Sequence, residues 1–288
     1  MAYRSPMVEA AGTFELGGEL EVNRLGFGAM RITGEGVWGD PPDPYAAMSV
    51  LSHAVELGVN LIDTADSYGP EVSENLIAET LHPYDGITIA TKGGLTRPGP
   101  GVWERNGRPE HLRAACEASL RRLRVDRIDL YQLHSPDRDV PYEESVGTLG
   151  ELREEGKINL IGLSNVSVEQ LDTAMGIVEV ASVQNRYNLT DRGSEDVLDA
   201  CEARGIGFVP WFPLATGSLA EQGGVLDEAA DRHDATPSQI ALAWLLARSP
   251  VMLPIPGTGS VDHLEENCGA ARIELDEDEV ERIASAAA

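Results

Sequence analysis

The chain has 288 residues with 48 acidic and 22 basic side chains, a net charge of −26 that repels nucleic acid and anionic membrane surfaces. No stretch approaches the roughly 18 uncharged apolar residues of a membrane span, and the first residues lack a signal-peptide core, so a cytoplasmic protein without membrane partners is expected. Three cysteines, Cys116, Cys201 and Cys268, lie far apart without CxxC spacing, which suits buried thiols in a reducing compartment and offers no metal site.

In chain order, "TFELGGELEVNR" predicts a hairpin over about 13–23, turning at Gly17 and Gly18. Short aliphatic or β-branched runs then recur eight times: "RLGFGAM", "VNLIDTA", "ITIATKGG", "IDLYQLH", "INLIGLSN", "SVQNRYN", "GFVPWFP" and "VMLPIPG". Between them, apolar positions three and four apart predict helices over 45–57, 73–81, 109–123, 142–155, 168–175 and 194–203. "TPSQIALAWLLA" opens another with a capping threonine and first-turn proline, and two more follow the eighth run, over 261–268 and about 276–286.

Strand and helix alternating at this spacing imply parallel strands joined by right-handed crossovers. Eight such units close into an α/β fold, a single-domain (β/α)8 barrel over 1–288, its bottom plugged by the hairpin and its end extended by the last helices. An open doubly wound sheet would want a glycine-rich phosphate loop after its first strand, and "GFGAMR" puts Arg31 where the third glycine belongs.

All strands of a parallel barrel end on one face, where the chemistry sits. Asp63 ends the second strand, Tyr68 follows in its loop, Lys92 ends the third and His134 the fourth, so four titratable groups are expected on one rim. Lys92 stands out because Lys157 is the sole other lysine beside twenty arginines. An ammonium beside a phenol should pull Tyr68 below its ordinary pKa near 10, while Asp63 keeps the lysine charged. Tyr68 could then give a proton to an oxygen gaining negative charge, as a carbonyl oxygen does when hydride reaches its carbon, with His134 hydrogen-bonded to that oxygen. No side chain donates hydride, so a nicotinamide is required. The alternative on these residues is a Schiff-base aldolase using Lys92.

Together, "GFGAMR", "NLIDTADSYG", "IATKGG", "YQLHSPD", "IGLSN", "VQNRYN" and "IPGTGSVDHLEEN", one per strand end and in this order, resemble the aldo-keto reductase family from the hairpin to Asn267. The resemblance implies NADPH-dependent reduction of aldehydes and ketones to alcohols, with NADH possible, by a monomer acting on small carbonyl compounds. Its catalytic tetrad falls on Asp63, Tyr68, Lys92 and His134. The nicotinamide carboxamide would meet Ser164, Asn165 and Gln184, its ring would lie on Trp211, and backbone near Gly28, Ala29 and Met30 would face that end.

By the same resemblance, Phe212, Pro213, Leu214, Thr216, Gly217 and Ser218 form the loop over the pyrophosphate. The segment Ile255, Pro256, Gly257, Thr258, Gly259, Ser260 with His263 receives the adenosine phosphate, and Glu266 and Asn267 contact adenine. The family's usual lysine and arginine here align with Gly257 and His263, so cofactor affinity should weaken as pH rises through the histidine's titration, between about pH 5.5 and 8.5. Met30, Trp38, Tyr68, Trp103 and His134 are the expected substrate wall, Trp103 standing on a long loop over 93–108. A long carboxy-terminal lid is not expected, so the mouth should admit a broad range of aldehydes and ketones. Some relatives that the chain resembles bind a nicotinamide as slow regulatory or sensor barrels, the second reading. The acidic, lysine-poor composition also resembles proteins of salt-loving organisms.

Overall fold

A computed structural model describes residues 7–214 and 225–286. The first hairpin pairs Thr13–Leu16 (β1) with Leu20–Asn23 (β2) antiparallel, Leu16 opposite Leu20. Gly17 turns in the left-handed region at φ +59°, and a Cβ there would stand 2.7 Å from Leu160 Cδ2. Glycine thus lets the turn seat against the sheet. Leu16 and Val22 join Leu61, Ala90, Leu130 and Leu253 in one buried cluster, so the hairpin fills the bottom of the barrel. Each fully buried leucine there contributes about 1.5–3 kcal/mol.

The main sheet is parallel and contains Phe27–Gly28 (β3), Leu61–Asp63 (β4), Thr88–Gly93 (β5), Ile128–Leu133 (β8), Ile158–Ser164 (β9), Ser182–Gln184 (β10) and Gly207–Phe208 (β11), hydrogen-bonded in sequence order. The eighth apolar run forms no regular strand, because Pro254 and Pro256 have no N–H to give a ladder. It still links both edges: Phe208 N donates to Val251 O at 2.8 Å, Leu253 N to Phe208 O at 2.8 Å, and Gly26 N to Pro254 O at 2.9 Å. The eight-unit barrel is therefore present with one irregular stave.

Outside the sheet lie Pro44–Glu56 (α1), Val72–Leu81 (α2), Pro109–Leu123 (α3), Tyr142–Glu154 (α4), Val168–Met175 (α5), Glu195–Arg204 (α6), Val225–His233 (α7), Pro237–Arg248 (α8), Val261–Gly269 (α9) and Glu277–Ala286 (α10). Local sequence fixes several starts: Asp43 accepts from two first-turn amides of α1, and Ser167 with Gln170 and Thr236 with Gln239 form reciprocal caps of α5 and α8. Their apolar stripes pack on the sheet, for example where Trp244 of α8 stacks on Tyr187 at 6.2 Å between ring centroids. No described helix is long and apolar enough to cross a membrane.

Two elements differ from the sequence expectation. The long loop after the third strand contains an antiparallel hairpin, Leu95–Gly99 (β6) with Val102–Arg105 (β7), hidden in sequence by Pro98 and Pro100. Helix α7 has no counterpart among the predicted helices, since its buried positions, Leu226, Ala229 and Ala230, are mostly small.

Candidate active site

The four strand-end groups meet as expected, around a lysine with no exposed surface. Lys92 Nζ donates to Asp63 Oδ2 at 2.7 Å, to the Thr64 carbonyl at 2.7 Å and to Tyr68 Oη at 3.4 Å, which engages all three of its hydrogens. Asp63 Oδ1 accepts from Gln132 Nε2 at 3.1 Å and Gln184 Nε2 at 2.8 Å, so its charge is fully solvated by protein. Gln132 was not singled out from sequence. Its place two residues before His134 on β8, hence on the same inward face, is the signal that marks it.

Burial opposes the charge on Lys92, yet Asp63 and then Tyr68 hold its pKa above the usual lysine value. For Tyr68 the balance differs from the sequence expectation: burial raises the phenol's pKa above its ordinary value and outweighs the lowering by Lys92. Tyr68 is therefore a proton-bearing phenol at neutral pH, the form a general acid needs. Burial, helped by the Lys92 charge, pushes His134 well below the ordinary histidine value and keeps the imidazole neutral. Its Nδ1 lies 3.4 Å from Ser67 Oγ, leaving Nε2 as the ring's other hydrogen-bonding atom.

Above these groups opens a cleft of about 810 Å³, within the usual size of small-molecule sites. Tyr68 and His134 line it; Lys92 lies beneath the floor. Ser164, Asn165 and Gln184 share one wall. Asn165 adopts φ +61°, a conformation that asparagine tolerates, and its side chain is engaged internally: Nδ2 donates to His134 O and Ser164 Oγ, each at 3.0 Å, and Oδ1 accepts from Trp211 Nε1 at 3.1 Å. It braces Trp211, whose ring forms the neighbouring wall. Ser164 keeps its hydroxyl hydrogen and Gln184 its carbonyl oxygen, a donor and an acceptor side by side that match a primary carboxamide.

Gly28, Met30, Phe212, Pro213, Leu214, Ile255, Pro256, Gly257, Thr258, Gly259 and His263 line the cleft. Ala29 is wholly buried behind it. Ser260, Glu266 and Asn267 are not in its lining: Ser260 Oγ caps α9 through His263 N at 3.5 Å, Glu266 accepts from Thr236 Oγ1 at 2.6 Å, and Asn267 is buried. Thr216, Gly217 and Ser218 lie outside the described residues.

On the substrate side, Trp103 lines the cleft, its ring edge-on to Tyr68 at 6.3 Å and to His134 at 6.4 Å. Trp38 does not reach the lining and sits behind Arg97, whose guanidinium lies 5.7 Å from its ring. Arg97, unremarked in sequence, organises this side. It stacks on Trp103 at 3.6 Å and donates to the carbonyls of Gly36 (3.0 Å), Val37 (2.9 Å), Ser67 (3.0 Å) and Val102 (2.9 Å). Val37, a β-branched residue at φ +56°, is strained by about 1–3 kcal/mol, and Arg97 holds that turn. Among the described residues no group of three or more His, Cys, Asp or Glu could hold a metal.

The arrangement can donate a proton and hold a developing oxyanion beside a carboxamide-shaped wall and an aromatic ring. The model of the Aldo/keto reductase family matches residues 24–288. An uncharacterized oxidoreductase of Schizosaccharomyces pombe is 52% identical over 265 residues, covering 92% of this chain and 86% of that protein. Pyridoxine 4-dehydrogenase of Escherichia coli is 43% identical over 277 residues, covering 93% and 96%. The structure of an aldo-keto reductase from Klebsiella pneumoniae in complex with NADPH superposes with a TM-score of 0.80 at 27% identity, covering 94% of this chain and 93% of that one.

Proposed function

The chain belongs to the aldo/keto reductase family, and from that membership we propose that it reduces a small aldehyde or ketone with NADPH, Tyr68 acting as general acid. The observation that carries the reading is a neutralised lysine–aspartate pair under a protonated phenol, with a neutral imidazole 5.9 Å from that phenol ring, at the floor of the cleft. The donor and acceptor left free on Ser164 and Gln184 and the indole of Trp211 suit a nicotinamide, and the NADPH in the Klebsiella neighbour favours the phosphorylated form. When bound, that cofactor supplies the hydride.

The chain's own residues do the rest. Tyr68 Oη gives its proton to the carbonyl oxygen as negative charge builds there, and the phenolate left behind is stabilised by Lys92 at 3.4 Å. Asp63 keeps Lys92 charged and aimed, and Gln132 and Gln184 keep Asp63 in place. His134 orients the carbonyl through Nε2. A Schiff-base role for Lys92 is opposed by its charge, its full burial and its three engaged hydrogens. Trp103, Tyr68 and Trp211 make an aromatic-rich chamber that suits a flat ring, and the similarity to a pyridoxine 4-dehydrogenase makes pyridoxal the first aldehyde to try.

Mixing the purified protein with NADPH and a panel of aldehydes and ketones, pyridoxal among them, should remove the nicotinamide absorbance band. Absence of any consumption with every carbonyl compound would refute the reading. Trapping of a substrate on Lys92 by borohydride would favour the aldolase instead.

A further inference from the structure

His134 turns one ring nitrogen to the cleft and the other to the protein. Its main chain is pinned on both sides, N donating to Gly93 O at 2.9 Å and O accepting from Asn165 Nδ2 at 3.0 Å. The rings of Tyr68 and Trp103 meet the imidazole at steep angles, their centroids 5.9 and 6.4 Å away. Held in this way, the imidazole points Nδ1 at Ser67, 3.4 Å from its Oγ. Ser67 is 2% exposed and lies outside the cleft lining, so Nε2 is the nitrogen left for a substrate.

A neutral imidazole carries a proton on one nitrogen and a lone pair on the other, and the partner of the first decides what the second presents. A carbonyl oxygen gaining negative charge is held by an N–H, whereas a lone pair on Nε2 would repel it. Nδ1 must then accept, and its partner must be a donor. A serine hydroxyl is such a donor, and where it is buried its hydrogen has to be placed within the protein. The other acceptor beside Ser67 is the Asp66 carboxyl, on which the Ser67 backbone N–H acts more strongly than the hydroxyl, so that carboxyl has a donor of its own. The Ser67 carbonyl accepts from Arg97 Nη1 at 3.0 Å, which fixes the segment with the hydroxyl beside the imidazole.

We infer that Ser67 is a positioning residue of the site: its hydroxyl donates to His134 Nδ1 and so locks the imidazole in the tautomer that offers Nε2–H to the carbonyl oxygen. The role of that N–H rests on the carbonyl-reduction reading above. Two consecutive residues then prepare both donors to that oxygen, Tyr68 directly and Ser67 through His134.

The test reads the tautomer itself, by nitrogen-15 NMR of the imidazole near neutral pH in nucleotide-free protein, with the His134 signals identified by their loss in His134→Gln. The wild type should carry its proton on Nε2. Ser67→Ala should move part or all of that proton to Nδ1 and lower turnover about three- to tenfold, the scale of one neutral hydrogen bond, while the NADPH dissociation constant stays within about twofold. Ser67→Thr, which keeps the hydroxyl, should restore both. If Ser67→Ala does not fold, Ser67→Cys, a weak donor, takes its place with the same expectation. A wild-type proton on Nδ1, or a tautomer unchanged in the variant, overturns the inference. Because the tautomer is read without nucleotide or substrate, either result leaves carbonyl reduction standing. A wild type that has the expected tautomer and consumes no NADPH with any carbonyl compound overturns the reading of function instead.

Discussion

Lys92 and Tyr68 are joined by a long hydrogen bond, Nζ to Oη at 3.4 Å, with the lysine wholly inside the protein. The distance leaves the phenol its proton at rest and puts a cation beside it once the proton has gone. Replacing Lys92 by Met should lower turnover at least about a hundredfold. It also strands the Asp63 charge, at a cost of about 3 kcal/mol or more in unfolding free energy. Lys92→Arg should not rescue turnover, since a guanidinium fork cannot reproduce three donors converging on Asp63, Thr64 and Tyr68. Kinetics and urea unfolding on both variants check this; wild-type turnover in Lys92→Met would refute it.

The pH profile of reduction follows from two displaced groups. Tyr68 must be protonated, and burial holds its pKa above the ordinary value near 10, so activity should decline only as pH rises beyond that value. His134 is held well below the ordinary histidine range, so it stays neutral and contributes no limb between about pH 6.5 and 9. A profile of kcat/KM that is flat over that interval is expected. A histidine-like inflection absent from His134→Gln would contradict the assignment.

Asp66, three residues after Asp63, gives a separate signature in stability. Its Oδ1 is buried without a partner, and burial, then the nearby Glu74 charge, push its pKa up to about 8, against smaller opposing effects from Arg122 and Ser67. Folded protein then holds a proton that the unfolded chain releases above pH 4, so this residue lowers stability as pH rises from about 4 to 8, and no further beyond. Asp66→Asn removes that dependence. The variant should gain at least about 1 kcal/mol relative to wild type between pH 5 and pH 8 in urea unfolding. Parallel stability curves would rule it out.

Arg97 should govern the substrate side alone. Arg97→Ala removes four hydrogen bonds to carbonyls and the stack beneath Trp103, releasing the Val37 turn and the β6–β7 hairpin. KM for the carbonyl substrate should rise at least about tenfold, the scale of one or two lost charged hydrogen bonds, while the NADPH dissociation constant stays within about threefold. Equal losses in both would mean a general collapse of the cleft instead.

What could be read from sequence was whatever period-2 strands and parallel order fix: Asp63, Lys92 and His134 had to share one rim once the strands ran the same way. Gln132 was legible by the same parity and went unmarked. Arg97 was not legible, since its partners are backbone carbonyls in three separate segments, which no side-chain pattern records. The direction of the Tyr68 shift depended on burial, which sequence does not measure, so the visible neighbour Lys92 suggested the opposite sign. The motif marks Asn165 as a cleft residue, and its bonds to His134, Ser164 and Trp211 were not legible because they depend on how separate strand ends meet in the fold.

The central claim is that the Tyr68 hydroxyl delivers the proton, and Tyr68→Phe tests it most directly. Single-turnover oxidation of prebound NADPH by an accepted aldehyde should slow at least about a hundredfold in the variant, with NADPH binding retained. An unchanged rate, with binding intact, would mean that the proton comes from elsewhere and would contradict the account.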